Sequence, residues 1–405
     1  MASQPPDGEA APPDGSLPES ARARLGSAPF GVYVHVPFCA SRCGYCDFNT
    51  YTATELGGGG DQAAYPGLVG AEIELAARTL PAGRARVSTV FFGGGTPTLL
   101  RPAEITGLLA RVDDAFGLAD DVEVTIEANP ESVDLAALEQ LRAGGVTRIS
   151  FGMQSAAPHV LAVLERSHQP GRALDCVRWA RAAGFDQVSL DLIYGTPGES
   201  DDDWRLTLEA AISAAPDHVS AYALIVEEGT RLAAKVRRGE ILAPDDDAMA
   251  DRYLIADDLL SAAGLRWYEL SNWAKDDKSG CRHNLLYWTG GDWWGFGPGA
   301  HSHVGGVRWW NVRHPSAYAA RLTAGSSPAA AREVLTPAER SMEEIMLRAR
   351  LAEGLPLTLL APSAAAALER SRSSGLIDQI AYAAGRLVLT RSGRLLADAV
   401  IRDLT

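Results

Sequence analysis

What most constrains the fold of this 405-residue chain is a sustained alternation of strand-like and helix-like segments. Period-two apolar residues mark Val32, Val34 and Val36 as a first strand. Short β-rich runs recur at Val90–Phe92, Val122–Ile126, Ile149–Phe151, Val188–Ile193 and Val219–Leu224. Between them lie helical periods, such as Ile105, Leu108, Leu109, Val112 and Phe116, or Leu135, Leu138 and Leu141 with Asp134 as N-cap and Gly144 as terminator. Strands joined through helices are expected to lie parallel, with right-handed crossovers.

Six such units can build an open doubly wound sheet or an incomplete barrel, and the unusual residues discriminate between them. Cys39 follows strand one, Gly93-Gly94-Gly95-Thr96-Pro97 follows strand two, Glu127 closes strand three, Gln154 follows strand four and Asp191 sits late in strand five. A barrel gathers its chemistry at the C-terminal ends of many strands, whereas a doubly wound sheet concentrates it at one switch point. The expected fold is therefore α/β: a partial (β/α)6 barrel over residues 28–265. After about Thr230 the βα rhythm stops, and Trp267 to Asn311 is dense in aromatics, Gly, His and Asn. Residues 266–330 are expected to form a segment covering the barrel mouth. From Thr336 onward two amphipathic helices lead to Arg386-Leu387-Val388-Leu389-Thr390, Gly393 and a last helix, which predicts a small helical or winged-helix-like domain over 331–405. Residues 1–27, rich in Pro, Ala, Gly and Asp and lacking an apolar h-region, read as a disordered tail and not a signal peptide.

Charge narrows the partners. The net charge is −14 and the basic residues are scattered, so no stripe exists to neutralise a phosphate backbone, and nucleic acid is not expected. No apolar run approaches the length of a membrane span. Of five cysteines, three fall within eight residues, which suits a metal site in a reducing compartment, and a cytoplasmic location is expected.

Cys39-x-x-x-Cys43-x-x-Cys46 sits in a loop directly after a strand. Thiolates are preferred ligands of iron–sulfur clusters, and a [4Fe-4S] cluster held by only three leaves one iron open to a small molecule. The alternative is zinc, which would want a fourth Cys or His nearby; His35 is the candidate. Cys176 falls in a helical period and reads as buried packing.

The loop Tyr33-Val-His-Val-Pro-Phe-Cys39-x-x-x-Cys43-x-Tyr45-Cys46, together with Gly93-Gly-Gly-Thr-Pro97, resembles the radical S-adenosylmethionine (SAM) superfamily and, within it, the oxygen-independent coproporphyrinogen III oxidase group. The resemblance implies a [4Fe-4S] cluster on Cys39, Cys43 and Cys46, SAM chelating the open iron, and an electron donor. It also implies SAM-pocket roles for Tyr33, Gly94, Gly95, Thr96, Glu127, Gln154, Arg166 and Asp191, with Tyr45 beside them. The residue chemistry agrees: glycines admit a ligand close to the backbone, Glu127 and Asp191 can accept from ammonium or hydroxyl groups, and Arg166 can grip a carboxylate.

Two departures separate the chain from the decarboxylating oxidases the resemblance brings to mind. Phe48 stands where they carry a further Cys two residues after the third ligand, and a low-complexity tail replaces their N-terminal segment. Both features resemble the haem-chaperone (HemW) branch, as does His283-Asn284-Leu285-Leu286-Tyr287-Trp288, which matches a His-Asn-x-x-Tyr-Trp motif and precedes Gly295-Phe-Gly-Pro-Gly-Ala-His301-Ser. Haem needs an axial ligand and an apolar, aromatic pocket, so His283 is expected to ligate it, with His301 and His303 as competitors. The plainer alternative is that His283 and Asn284 fasten a loop by hydrogen bonds. The expected function is a haem chaperone that hands haem to apo-haem proteins and leaves coproporphyrinogen III untouched. The alternative class is a radical decarboxylase acting on coproporphyrinogen III, and tRNA modification conflicts with the acidic balance.

Overall fold

Alternation along each strand sorts side chains between two faces. In β1 (Phe30–Val36), Val32, Val34 and Val36 are fully buried beneath the helices, while Gly31, Tyr33 and His35 take the inner face. The same period runs through β2 (Val87–Gly94), β3 (Leu118–Ala128), β4 (Arg148–Gln154), β5 (Gln187–Tyr194) and β6 (His218–Ala223). Their helix-facing residues are apolar, among them Val90, Val124, Ile149, Leu190 and Val219; the intervening ones are Thr89, Glu123, Arg148, Ser150, Asp191 and His218. An interior this polar is a chemical chamber and not a packed core.

The computed structural model describes residues 8–56, 60–81, 83–166, 169 and 171–405. Strands β1 to β6 pair in parallel and in sequential order. A doubly wound sheet would reverse direction at a switch point, so this monotonic order is that of a partial barrel. The crossovers carry α1 (Gly60–Thr79), α2 (Pro102–Phe116), α3 (Leu135–Ala143), α4 (Arg172–Ala182) and α5 (Asp201–Ser213), and α6 (Asp246–Ala262) follows β6. Asp134 caps α3 by accepting from the Ala137 N–H at 2.8 Å, and Gly144 ends it.

The barrel does not close. Beyond β6 lie β7 (Arg266–Glu269) and β8 (Asn272–Ala274) as an antiparallel hairpin. On the other side β9 (Asp292–Phe296) pairs in parallel with β1, followed by the antiparallel strands β10 (His301–Val304), β11 (Val307–Asn311) and β12 (Ala329–Val334). The expected disordered tail of residues 1–27 needs correction from Gly8 on, residues 1–7 lying outside the described residues. Glu9–Ala10 extends the sheet by pairing with Ala331 and Arg332, and Leu17, Ala21 and Leu25 are buried. A few apolar residues in a Pro-rich stretch suffice to pin it once a sheet edge is available.

Within residues 266–330, the stretch from Gly299 to Arg313 lies beside the cysteine loop at the strand ends, but the part that carries the motif does not. Helix α7 (Arg282–Trp288), which carries the His-Asn-x-x-Tyr-Trp motif, sits at the opposite end, against the beginnings of the strands. Its first backbone N–H groups, those of Arg282 and His283, donate to the Glu123 carboxylate at 3.1 Å each, and Arg148 Nη1 donates to Ser279 O at 2.7 Å. Glu123, Thr89 and Gly31 are register partners near the strand starts. A Cβ on Gly31 would lie 2.8 Å from Thr89 Oγ1 and 3.0 Å from Leu286 Cδ1, so glycine permits the helix to seal this end.

The remaining chain forms a second core. Helix α8 (Pro337–Arg348) leads into it, and Ile345, Ala349, Leu355, Leu368, Ile377, Leu387, Val400 and Ile401 pack together around the paired ribbon Leu355–Pro356 and Arg386–Leu387, a winged-helix-like arrangement. It is tied to the barrel by Arg394, whose Nη2 lies 2.9 Å from Asp257 Oδ2 on α6. Among the described residues no helix is long and apolar enough to cross a membrane.

Candidate functional site

The cysteine loop leaves β1 at the C-terminal end of the barrel. Phe38–Cys39 pairs with Tyr51–Thr52, and the loop between them is tied down by Gly44 N to Leu164 O (3.3 Å) and Leu232 N to Gly44 O (2.8 Å). Beside it, a Cβ on Gly95 would lie 2.4 Å from Phe38 O and 2.9 Å from Cys39 Sγ, so only glycine fits against the loop. Thr96 Oγ1 and Thr50 Oγ1 lie 4.0 Å from the sulfurs of Cys39 and Cys46 respectively, and Arg166 Nη1 lies 3.5 Å from that of Cys43.

Burial pushes the Cys39 thiol up to about 11 and raises Cys46 as well. Arg166 Nε is buried without a hydrogen-bond partner among the described residues. Three half-buried thiols, a glycine backbone that leaves room beside them and an orphaned guanidinium nitrogen fit a [4Fe-4S] cluster with a carboxylate-bearing ligand. The zinc alternative loses its fourth donor. His35 has both ring nitrogens engaged, Nδ1 with Tyr33 Oη at 3.0 Å and Nε2 with Asn49 O at 2.9 Å. Among the described residues, no three His, Cys, Asp or Glu side chains close on a single-ion position.

The other SAM-pocket candidates gather around this loop. Gly94, at φ 110°, donates its N–H to Glu127 Oε2 at 3.1 Å, and a Cβ on Gly93 would meet that same oxygen at 3.0 Å and Tyr33 Cε2 at 3.1 Å. Burial, reinforced by the neighbouring Asp191, raises Glu127 to about 8. Burial also raises Asp191, which accepts from Ser150 Oγ at 2.9 Å. Gln154 adopts φ 62°, a region costly for a side chain with a Cβ, and a Cβ on Gly152 would come within 2.9 Å of both Gln154 Nε2 and Arg166 Nη2. Tyr45 packs by its ring against the small cluster of Val160, Leu164 and Leu224. A carboxyl poised near neutrality, a second carboxyl and a guanidinium with its Nε unpartnered among the described residues suit an amino acid's ammonium and carboxylate.

At the opposite end every member of the His-Asn-x-x-Tyr-Trp motif is already engaged. His283 Nδ1 lies 2.8 Å from Thr89 Oγ1 and Nε2 lies 2.7 Å from Tyr287 Oη, and Asn284 and Trp288 hydrogen-bond the buried Glu269. Burial holds the His283 imidazole down to about 3. With both nitrogens taken and the ring 1% exposed, His283 is corrected from haem ligand to a fastening residue in this structure. The sequence showed the right residue type, and Tyr287 one helical turn on, but not the partners Thr89 and Glu123, 194 and 160 residues away.

Between the two ends a side cavity of about 730 Å³ opens between the cysteine loop, β10–β11 and α8. Glu127 and Gly94 lie at its inner end; Phe48, Trp293, His301, His303, Trp310 and Met346 line it further out. Sequence reading missed Trp293, Trp310, Arg313 and Met346 as site residues. The alternation of His301, His303 and their partners Trp310 and Arg308 across the β10–β11 pair was the available signal.

Residues 33–211 match the radical SAM superfamily. The chain is 53% identical over 382 residues, 94% of its length and 96% of the other's, to the protein named heme chaperone HemW of Mycobacterium tuberculosis (strain ATCC 25618 / H37Rv). It is 31% identical to that of Bacillus subtilis (strain 168), covering 91% and 97% of the two chains. Among solved structures, coproporphyrinogen III oxidase (HemN) from Escherichia coli superposes with a TM-score of 0.82 over 95% of this chain and 92% of that one, at 23% identity, a likeness of fold.

Proposed function

Because the chain belongs to the radical SAM superfamily and, within it, to the HemW family, we propose that it is a haem chaperone: it binds haem and passes it to apo-haem proteins. The observation that carries this reading is the likeness to HemW over nearly the whole of both chains, C-terminal unit included. Phe48, 61% exposed at the edge of the cavity where the oxidases carry Cys, supports it. So does a cavity volume in the range that encloses a cofactor-sized ligand.

A cluster with an open iron, when bound, supplies one electron to the sulfonium of SAM. The chain's own residues would do the rest. Cys39, Cys43 and Cys46 would hold the cluster, and Thr96 and Thr50 face the thiol sulfurs of Cys39 and Cys46. Gly93 to Gly95 keep side chains out of the ligand's path and present backbone groups to it. Glu127, once deprotonated, would accept from the ammonium, and Arg166, held beside Cys43, would donate to the carboxylate. Asp191, Gln154, Tyr33 and Tyr45 complete the walls.

The competing reading is oxidative decarboxylation of coproporphyrinogen III, favoured by fold alone. Anaerobically reconstituted protein given SAM, reductant and coproporphyrinogen III should yield no protoporphyrinogen IX, while the same preparation binds haem with a defined Soret band. Turnover at enzymatic rates would overturn the chaperone reading.

A further inference from the structure

Haem presents three chemical demands: an open iron that takes an imidazole, two apolar faces, and two carboxylates at one edge. Most described histidines are already committed. His35, His218 and His283 each use both ring nitrogens within the barrel. His159 lies 3.3 Å from Asp203 on the outer surface, and His314 Nδ1 accepts from Ser316 N at the start of a helix. His303, half-buried in the wall of the side cavity, commits only Nδ1, to Gly291 O at 3.0 Å, and is the competitor that the band of a His303→Ala variant tests.

His301 stands apart. Among the described residues its ring makes no hydrogen bond, lies in the cavity wall and remains accessible to solvent. The indole of Trp310 lies nearly parallel to it at 6.1 Å, and Trp293, Phe48, Met346 and Leu347 supply apolar surface along the same wall. Partial burial, with the charges of Arg308 and Arg313 nearby, lowers the His301 pKa, so the ring is neutral, as iron requires.

The two arginines differ. Arg308 is held between Glu333 and Glu343, each at 2.6 Å. Arg313 has no carboxylate within ion-pair distance among the described residues, and its Nε donates to Asn49 Oδ1 at 3.4 Å. It is exposed on the cysteine-loop side of the cavity, so its guanidinium is available to a ligand carboxylate.

We propose that haem binds in this side cavity with His301 as its iron ligand and Arg313 paired to a propionate, and with Trp293, Phe48 and Met346 supplying apolar contact. The assignment rests on the haem-chaperone reading. It places the cargo between the cluster loop and the C-terminal unit, on an open wall from which an acceptor can draw it.

The test is titration of the full-length protein with ferric haem, followed by the Soret band. His301→Ala should move the band and weaken binding about tenfold or more, and free imidazole should restore the wild-type spectrum. His303→Ala and His283→Ala, both checked by circular dichroism to be folded, should keep the wild-type band position. Arg313→Ala should weaken binding of haem several-fold but leave binding of haem dimethyl ester unchanged. If wild type binds haem and His301→Ala binds it with the same band and affinity, the site is wrong while the chaperone reading stands. If the His301→Ala spectrum changes but imidazole does not restore it, the ligand assignment is likewise overturned. If wild type binds no haem at all, both fall.

Discussion

The two ends of the barrel are built from the same kinds of residue and do opposite things. At the strand starts, Glu123, Arg148, His218 and His283 are buried and bonded to one another's neighbours, and α7 seals them in. At the strand ends, Glu127 and Arg166 are half-buried, and among the described residues Arg166 Nε has no partner while Glu127 accepts from a backbone N–H. A buried polar group costs free energy unless paired, so unmet groups are stored binding capacity and met ones are architecture. The difference teaches that a histidine-rich motif is judged by what its nitrogens already hold.

Substitutions at the two ends should therefore separate cleanly. The largest effect is expected at the cysteine loop: Cys43→Ala should abolish the thiolate-to-iron absorption and iron retention after anaerobic reconstitution, whereas Cys176→Ala should not. Stoichiometric, tightly held zinc in place of iron would break the contrast. Next comes Gly94→Val, at a positive φ and with a Cβ position 2.7 Å from the His35 ring. It should retain the cluster but lose SAM binding by about a hundredfold or more, read from the reduced cluster's EPR response to SAM.

At the sealed end, Glu123→Ala removes the acceptor for two helix N–H groups and should destabilise the fold by about 2–4 kcal/mol. Denaturant unfolding measures this, and reconstituted iron content should stay at the wild-type level. A loss of SAM binding without loss of stability would show that α7 reaches the active end.

The smallest effect concerns protons. Glu127 is raised from 4.5 to about 8 in the fold. Its neutral form is the favoured one, so its contribution to stability is full below about pH 4.5 and is lost as pH rises through about 8. An ammonium group reverses that preference. SAM binding at pH 7 should then release close to one proton and tighten up to about tenfold between pH 7 and 9. Calorimetry in buffers of different ionisation heat checks this, and Glu127→Gln should show neither effect.

Much of the active end was legible because it is local. Valine alternation placed β1, Asp134 and Gly144 bounded α3, and the position of Cys39, Gly93–Gly95, Glu127, Gln154 and Asp191 after their strands put them on one rim. What escaped was long-range. Nothing near His283 in the chain announces Thr89, 194 residues away, nor does Glu9–Ala10 announce its pairing with Arg332. Periodicity reports which face a residue takes, and the partner on that face is a property of topology.

The central claim is that the open side of this molecule carries haem for delivery. Holo-protein, with its cluster in place, should be mixed with an apo-haem protein of distinct Soret maximum and followed by absorbance. The account predicts that the acceptor's band grows as the donor's falls, one haem gained for each lost. Haem that stays with the protein under these conditions, while coproporphyrinogen III is converted by the same preparation, would contradict it.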